Sequence, residues 1–323
     1  MKNNTLTAVP GFRVGHATDL EAATGCTVIL CPPGTVGGVD QRGGAPGTRE
    51  TDLLRPMHQV EQVNAVMLAG GSAYGLAAAD GAMRYLEERQ SGYVTRAGYI
   101  VPIVASAIVF DLAVGRHDVR PDTAMGYAAC QNASDQPVLQ GTIGAGTGCR
   151  IGAMYGNALA TKGGIGSACI ELGGGLIVAA LAVVNAVGDV IDEQGAILAG
   201  LRSEQGGFCG IMNEFRAMTY AASPPSSAER GGENTVIGVV ATNARLSKEA
   251  INKVAQMAHD GLARAVNPAH TLFDGDTIFA LASGSVEADV NLVGAFGAEA
   301  FAQAIRSGVR AATSLYEVRA WNA

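Results

Sequence analysis

The chain has 323 residues, 48% of them hydrophobic and 16% charged, which is enough apolar material for one large core or two small ones. Its net charge of -7 and the lack of clustered Lys and Arg argue against a general nucleic-acid binder. The 44 glycines follow no collagen-like period and read as tight turns and close backbone packing. The six cysteines (Cys26, Cys31, Cys130, Cys149, Cys169, Cys209) show no CxxC or CxxH spacing and are expected as buried free thiols in a reducing compartment. The amino-terminal residues lack the apolar core of a signal peptide, and no apolar run approaches membrane-spanning length. A cytoplasmic protein is the expectation, with no membrane partner.

A strand is expected over residues 26–31, closed by Pro32-Pro33-Gly34. Arg42-Gly43-Gly44-Ala45-Pro46-Gly47 has the composition of a surface loop. The strand at residues 65–69 ends in Gly70-Gly71-Ser72-Ala73-Tyr74-Gly75, and a helix is expected from about Leu76 to Glu88. The spacing in that turn fits neither GxGxxG, GxxxxGK[ST] nor GxSxG, so nucleotide and α/β-hydrolase readings are weak. Ser72 reads as a turn or cap residue, and Ser72 and Tyr74 are candidates for contact with substrate. Strands follow at residues 99–104 and 106–111, and Pro121 suits the first turn of a helix.

Residues 141–148, Gly-Thr-Ile-Gly-Ala-Gly-Thr-Gly, look like a dinucleotide loop, but a strand-like stretch follows where the fingerprint needs a helix. Lys162 stands in a glycine-rich turn, where a lysine is ordinarily a solvated charge. The run from Leu176 to Val184 is apolar on both faces, as in a strand covered on both sides, and it delivers Asn185 to the strand end. A Pro/Ser-rich loop at residues 222–227, then Gly231-Gly232, leads to Asn234-Thr235 and a β-branched strand over residues 236–241. Ser247 opens a helix with Ile251, Val254, Ala255, Ala258 and Leu262 on one face. Asp274-Gly275-Asp276 precedes a strand over residues 277–281, and a second helix is expected over residues 286–312. Asp-Gly-Asp alone is commonly a turn or cation loop, although two acids two apart share a face if a strand begins there.

Asn234-Thr235, the stretch Val239-Val240-Ala241-Thr242-Asn243-Ala244-Arg245-Leu246-Ser247, and His270-Thr271 with Asp274-Gly275-Asp276-Thr277-Ile278-Phe279-Ala280 closely resemble the family of DmpA-type aminopeptidases, β-peptidyl aminopeptidases and nylon-oligomer hydrolases (NylC). The Asn-Thr junction and paired acids look more like the nylon-oligomer branch. The resemblance implies a four-layer α/β/β/α sandwich of the amino-terminal-nucleophile kind. It also implies one catalytic domain over residues 1–323, cut into 1–234 and 235–323, and a homotetramer of processed pairs. By the same resemblance Thr235 is the nucleophile, Asp274 and Asp276 orient it, Asn185 is an oxyanion donor, and Lys162 lies in the cleft. Related enzymes use a tyrosine near Phe110, whose ring cannot donate a hydrogen bond. The Arg-Gly-Gly-Ala stretch becomes a possible wall of the cleft.

The expected activity is hydrolysis of linear amides such as 6-aminohexanoate oligomers. The rivals are an aminopeptidase on short or β-amino peptides and, in another class, an unprocessed binding protein. No cofactor or metal is expected: the five histidines lack HxxxH spacing, and nothing marks one for a Ser-His-Asp triad.

Overall fold

The computed structural model describes residues 2–219 and 234–323, so the Pro/Ser-rich loop and Gly231-Gly232 lie outside the described residues. Two five-stranded sheets organise the chain. Numbered in chain order, their strands are β1 (Arg13–Asp19), β2 (Thr24–Leu30), β3 (Val36–Gln41), β4 (Thr48–Arg49) and β5 (Ala65–Ala69). They continue with β6 (Val104–Ile108), β7 (Gly164–Glu171), β8 (Ile177–Asn185), β9 (Thr235–Arg245) and β10 (Thr277–Glu287). The first sheet runs β1-β2-β5-β6-β4 and the second β7-β8-β9-β10-β3. The β5/β6 and β9/β10 pairs are parallel, so each needs a crossover. Helix α1 (Ala78–Glu87) lies in the first crossover and α4 (Lys248–Ala265) in the second, while the short α3 (Ile211–Met218) falls between β8 and β9 in the chain.

The period-2 rule explains the layering. Along β8, Ala179, Leu181 and Val183 point into the space between the sheets, as do Ile237, Val239 and Ala241 of β9. They meet Ile29, Val66, Leu68, Ala105 and Ala107 of the first sheet. The alternate residues Val178, Ala180, Ala182 and Val184 face outward onto Ile251, Val254 and Ala258 of α4 and Phe301 and Ile305 of α5 (Val290–Ala311). On the far side, Val28, Ala65 and Met67 pack under α1 and under Ala129 and Cys130 of α2 (Thr123–Gln131). The order is therefore helix, sheet, sheet, helix, the expected sandwich. Small residues set the spacing: a Cβ on Gly166 would stand 2.1 Å from the Ala304 carbonyl oxygen, so α5 rests on bare strand backbone there.

Helix starts follow side-chain caps. Asp122 accepts from Met125 N, Ser247 from Ala250 N and Asp289 from Asn291 N. The last helix begins at Val290, four residues later than its composition suggests, because β10 continues to Glu287 opposite Arg245 of β9. The expected strand over residues 99–104 is two pieces, Ile100–Val101 and β6, separated at Pro102, which has no N-H to give a ladder. All six cysteines are free, with Cys26, Cys130 and Cys149 buried. Among the described residues no helix is long and apolar enough to cross a membrane.

Candidate active site

Thr235 is the first residue of β9 and pairs across the ladder with Asn185, the last residue of β8. Both are buried, as are Asn234, Asp274 and Asp276. Buried polar side chains at one end of an apolar sheet call for hydrogen bonds, and those that form define the site, while among the described residues the Asn234 Oδ1 has no partner. The Thr235 hydroxyl donates to the carbonyl oxygen of Asn234, the residue before it. The same carbonyl oxygen accepts the Gly275 N-H at 3.0 Å, and Asn234 N-H donates to the Phe273 carbonyl at 3.1 Å.

One of the two acids holds the backbone next to Thr235 and the other holds its own loop. Asp276 accepts from Val236 N at 2.8 Å, from His270 N at 3.0 Å and from His270 Nδ1 at 2.8 Å. Asp274 closes its own turn, accepting from Thr271 N at 3.0 Å and Thr271 Oγ1 at 2.6 Å. Burial pushes the Asp274 carboxyl up to about 6, and the charge of Asp276 adds to the shift.

Asn185 is held at both ends of its amide. Its Oδ1 accepts Arg150 N at 2.9 Å and its Nδ2 donates to the Phe110 carbonyl at 3.1 Å. An amide nitrogen carries two hydrogens, so one remains for another acceptor. The Phe110 backbone thus orients Asn185, and Phe110 also lines the cavity.

Lys162 is fully buried. Its Nζ donates to the carbonyls of Gly146, Cys149 and Gly163 at 3.1, 2.9 and 2.8 Å. Those three bonds use every proton of the ammonium group. None is left for a direct hydrogen bond to Thr235. Burial lowers its pKa to about 8, against the attraction of Asp111. The glycine run at residues 141–148 supplies one of these acceptors, and its N-H groups at Gly144 and Ala145 are taken by Thr18 and Thr27.

A cavity of about 180 Å³ opens at Thr235, lined by Ser72, Ile108, Phe110, Asn234 and Phe273 together with residues 45–47. Of the Arg-Gly-Gly-Ala stretch only Ala45 lines this cavity, and the stretch is tied to the acid loop by Arg42 N to the Asp276 carbonyl at 3.0 Å and Ala45 N to the Asp274 carbonyl at 2.9 Å. Ser72 stands at φ 53 and enters the cavity. Tyr74 does not line it; its exposed ring lies under Arg120, 4.1 Å from the guanidinium carbon.

Sequence reasoning passed over Asp111, which accepts from Gly71 N at 2.6 Å and Thr24 Oγ1 at 2.7 Å and so pins the turn carrying Ser72. Burial pushes its carboxyl up to about 6. A strand ending in an acid beside a glycine turn was the available signal. Gly275 was read only as a spacer between the acids. A Cβ there would stand 2.9 Å from the Thr235 hydroxyl oxygen and 2.6 Å from the Ala45 carbonyl oxygen.

Residues 4–320 match the model of peptidase family S58. The chain belongs to this family. This S58 member is 48% identical over 310 residues to an uncharacterized aminopeptidase of Mycobacterium leprae, covering 88% of this chain and 80% of the relative. It is 33% identical over 279 residues to a 6-aminohexanoate-oligomer endohydrolase of Paenarthrobacter ureafaciens, covering 86% and 74%. Among solved structures, the L-aminopeptidase D-Ala-esterase/amidase of Ochrobactrum anthropi, described as a variant of the Ntn hydrolase fold, superposes with a TM-score of 0.74 at 20% identity. That match covers 98% of this chain and 91% of the other. S58 membership makes the protein a hydrolase of peptide-type amide bonds, and its fold is that of the Ntn-type aminopeptidases.

Proposed function

We propose that this chain cuts itself between Asn234 and Thr235 and then uses Thr235 as an amino-terminal nucleophile on linear amides. What carries this reading is the Thr235 hydroxyl lying against the carbonyl of the bond to be cut, at the edge of the cavity. In the precursor the hydroxyl oxygen adds to the Asn234 carbonyl carbon. The C-N bond breaks as the nitrogen takes up the hydroxyl proton, leaving Asn234 esterified to Thr235. Water opens the ester, giving a new carboxylate at Asn234 and a free hydroxyl and amine on Thr235.

In turnover the freed amine takes the hydroxyl proton and passes it to the leaving amine of the substrate, and water releases the acyl group. The spare N-H of Asn185 is the oxyanion donor, Asp276 fixes the backbone beside the nucleophile, and the buried Lys162 charge favours the anionic transition state. Ser72 and Phe110 contact substrate, and the processed pairs assemble as a tetramer.

The preferred substrates are oligomeric linear amides such as 6-aminohexanoate oligomers. Aminopeptidase action is the second reading, favoured by the higher identity to the relative named an aminopeptidase. Oligoamides with free and with acetylated amino ends separate the two: an endohydrolase cleaves both, an aminopeptidase only the first.

The decisive measurement is intact mass under denaturing conditions with amino-terminal sequencing. A fragment beginning Thr235-Val236-Ile237 is expected from the parent. Thr235→Ala should remain one chain and lose turnover by roughly 10⁴-fold or more. A Thr235→Ala protein that is cut or active overturns the scheme.

A further inference from the structure

The self-cleaving step and the later turnover place negative charge on different oxygens, and the structure supplies a separate donor at the first of them. Resting on the reading above, we propose that the backbone N-H of Gly275 is the oxyanion donor for self-cleavage. When the Thr235 hydroxyl adds to the Asn234 carbonyl carbon, the two electrons of the π bond move to the Asn234 oxygen. That oxygen already accepts the Gly275 N-H at 3.0 Å. A donor placed before charge develops need not be reoriented as the bond forms, and this is the condition under which such groups act most strongly.

Four further observations single out Gly275. The described Asn185 hydrogen bonds go to Arg150 N and the Phe110 carbonyl, so neither reaches the Asn234 oxygen in the uncut chain. The three protons of Lys162 are likewise committed to carbonyls. The donor is held rigidly from both sides, because Asp274 N donates to the Thr271 carbonyl at 3.2 Å, and Asp276, next along, accepts Val236 N at 2.8 Å. The residue must also be glycine. A side chain at 275 would press on the attacking hydroxyl, 2.9 Å from the Cβ position, and on the Ala45 carbonyl. The spacing of the two acids therefore has a second meaning: the residue between them brings its N-H to the scissile carbonyl without a side chain in the way of the nucleophile.

The test removes the N-H and leaves every side chain in place. Full-length chain is made by cell-free translation with glycolic acid in place of Gly275, which replaces the N-H by an ester oxygen. Appearance of the fragment beginning at Thr235 is followed by mass against time. A slowing of roughly 10²- to 10³-fold is expected, the usual loss for one oxyanion donor. The same exchange at Gly44, whose N-H bonds the Thr271 carbonyl at 3.1 Å in the adjoining loop, should leave the rate within a few-fold. Parental cleavage with the ester at 275, or equal slowing with the ester at 44, overturns the inference. An unmodified chain that never cuts overturns the self-processing reading instead.

Should the ester chain fail to fold, hydrogen exchange at the Gly275 amide decides. It should be protected in uncut Thr235→Ala and lose that protection in the cut parent, where the Asn234 carbonyl is released. Equal exchange in the two overturns the inference.

Discussion

The strand β9 contains two regions built on opposite rules. From Ile237 to Ala241 its side chains alternate between the space among the sheets and the outer helices, and every one is apolar or glycine. At its first residue the pattern breaks: Thr235 is buried beside Asn185, Asp274 and Asp276. The middle is held by area removed from water, which tolerates exchange of like volumes. The end is held by specific hydrogen bonds whose loss leaves an unpaired buried group. If the proposed mechanism holds, stability belongs to the middle and reactivity to the end, and the two should come apart under mutation.

The largest separation is expected at Asp276. Replacing it with Asn leaves one acceptor where Val236 N and His270 now use both carboxylate oxygens. Self-cleavage and turnover should fall by roughly 10²- to 10⁴-fold, while chemical denaturation shows a loss of only about 1–3 kcal/mol. Phe301→Ala strikes the other region, opening a hole where the ring covers Gly238. A loss of about 3–5 kcal/mol is expected, with the fraction that stays folded still cut at Thr235. If Phe301→Ala stopped cleavage in folded protein, the two regions would not be independent.

The smallest effect is a shift with pH. Asp189 resembles Asp274 in being pushed up to about 6 by burial, but it serves packing, accepting Ile211 N at 2.6 Å and Leu201 N at 3.3 Å. Its pKa is raised in the folded state, so its stabilising contribution is present below the unfolded value and is lost as pH rises through about 6. An Asn at 189 escapes that loss. The melting temperature of Asp189→Asn relative to the parent should therefore rise between about pH 5 and pH 7.5, with turnover little changed. A constant difference would mean that the carboxyl titrates normally.

The same two regions differ in how far the amino-acid order reveals them. The apolar run at residues 176–184 and the β-branched start of β9 announce the double-sided sheet, and Ser247 announces its helix, because these signals are local. The junction of Asn234 with Thr235 and the paired acids were legible through the family pattern. What was not legible depends on chain crossings. The three carbonyls around Lys162 come from residues 146, 149 and 163, with no spacing to mark them. Asp111 gains its meaning only when β6 brings it beside Gly71, and the wall formed by residues 45–47 only through its bonds to the acid loop. The late start of the last helix has a similar cause, since β9 holds β10 extended past the point where its own composition would let it turn.

The place of β9 in its sheet bears on what a break at residue 234 would do to the molecule as a thermodynamic object. This strand lies between β8, from the first segment, and β10, from the second, while β3, again from the first segment, flanks β10 on its other side. The two segments are interleaved, so a single hydrolysis would turn a one-chain protein into a two-component complex without moving a strand. Unfolding would then liberate two molecules. The melting temperature of the processed protein should rise more steeply with total protein concentration than that of Thr235→Ala, as mass action requires when unfolding releases more molecules.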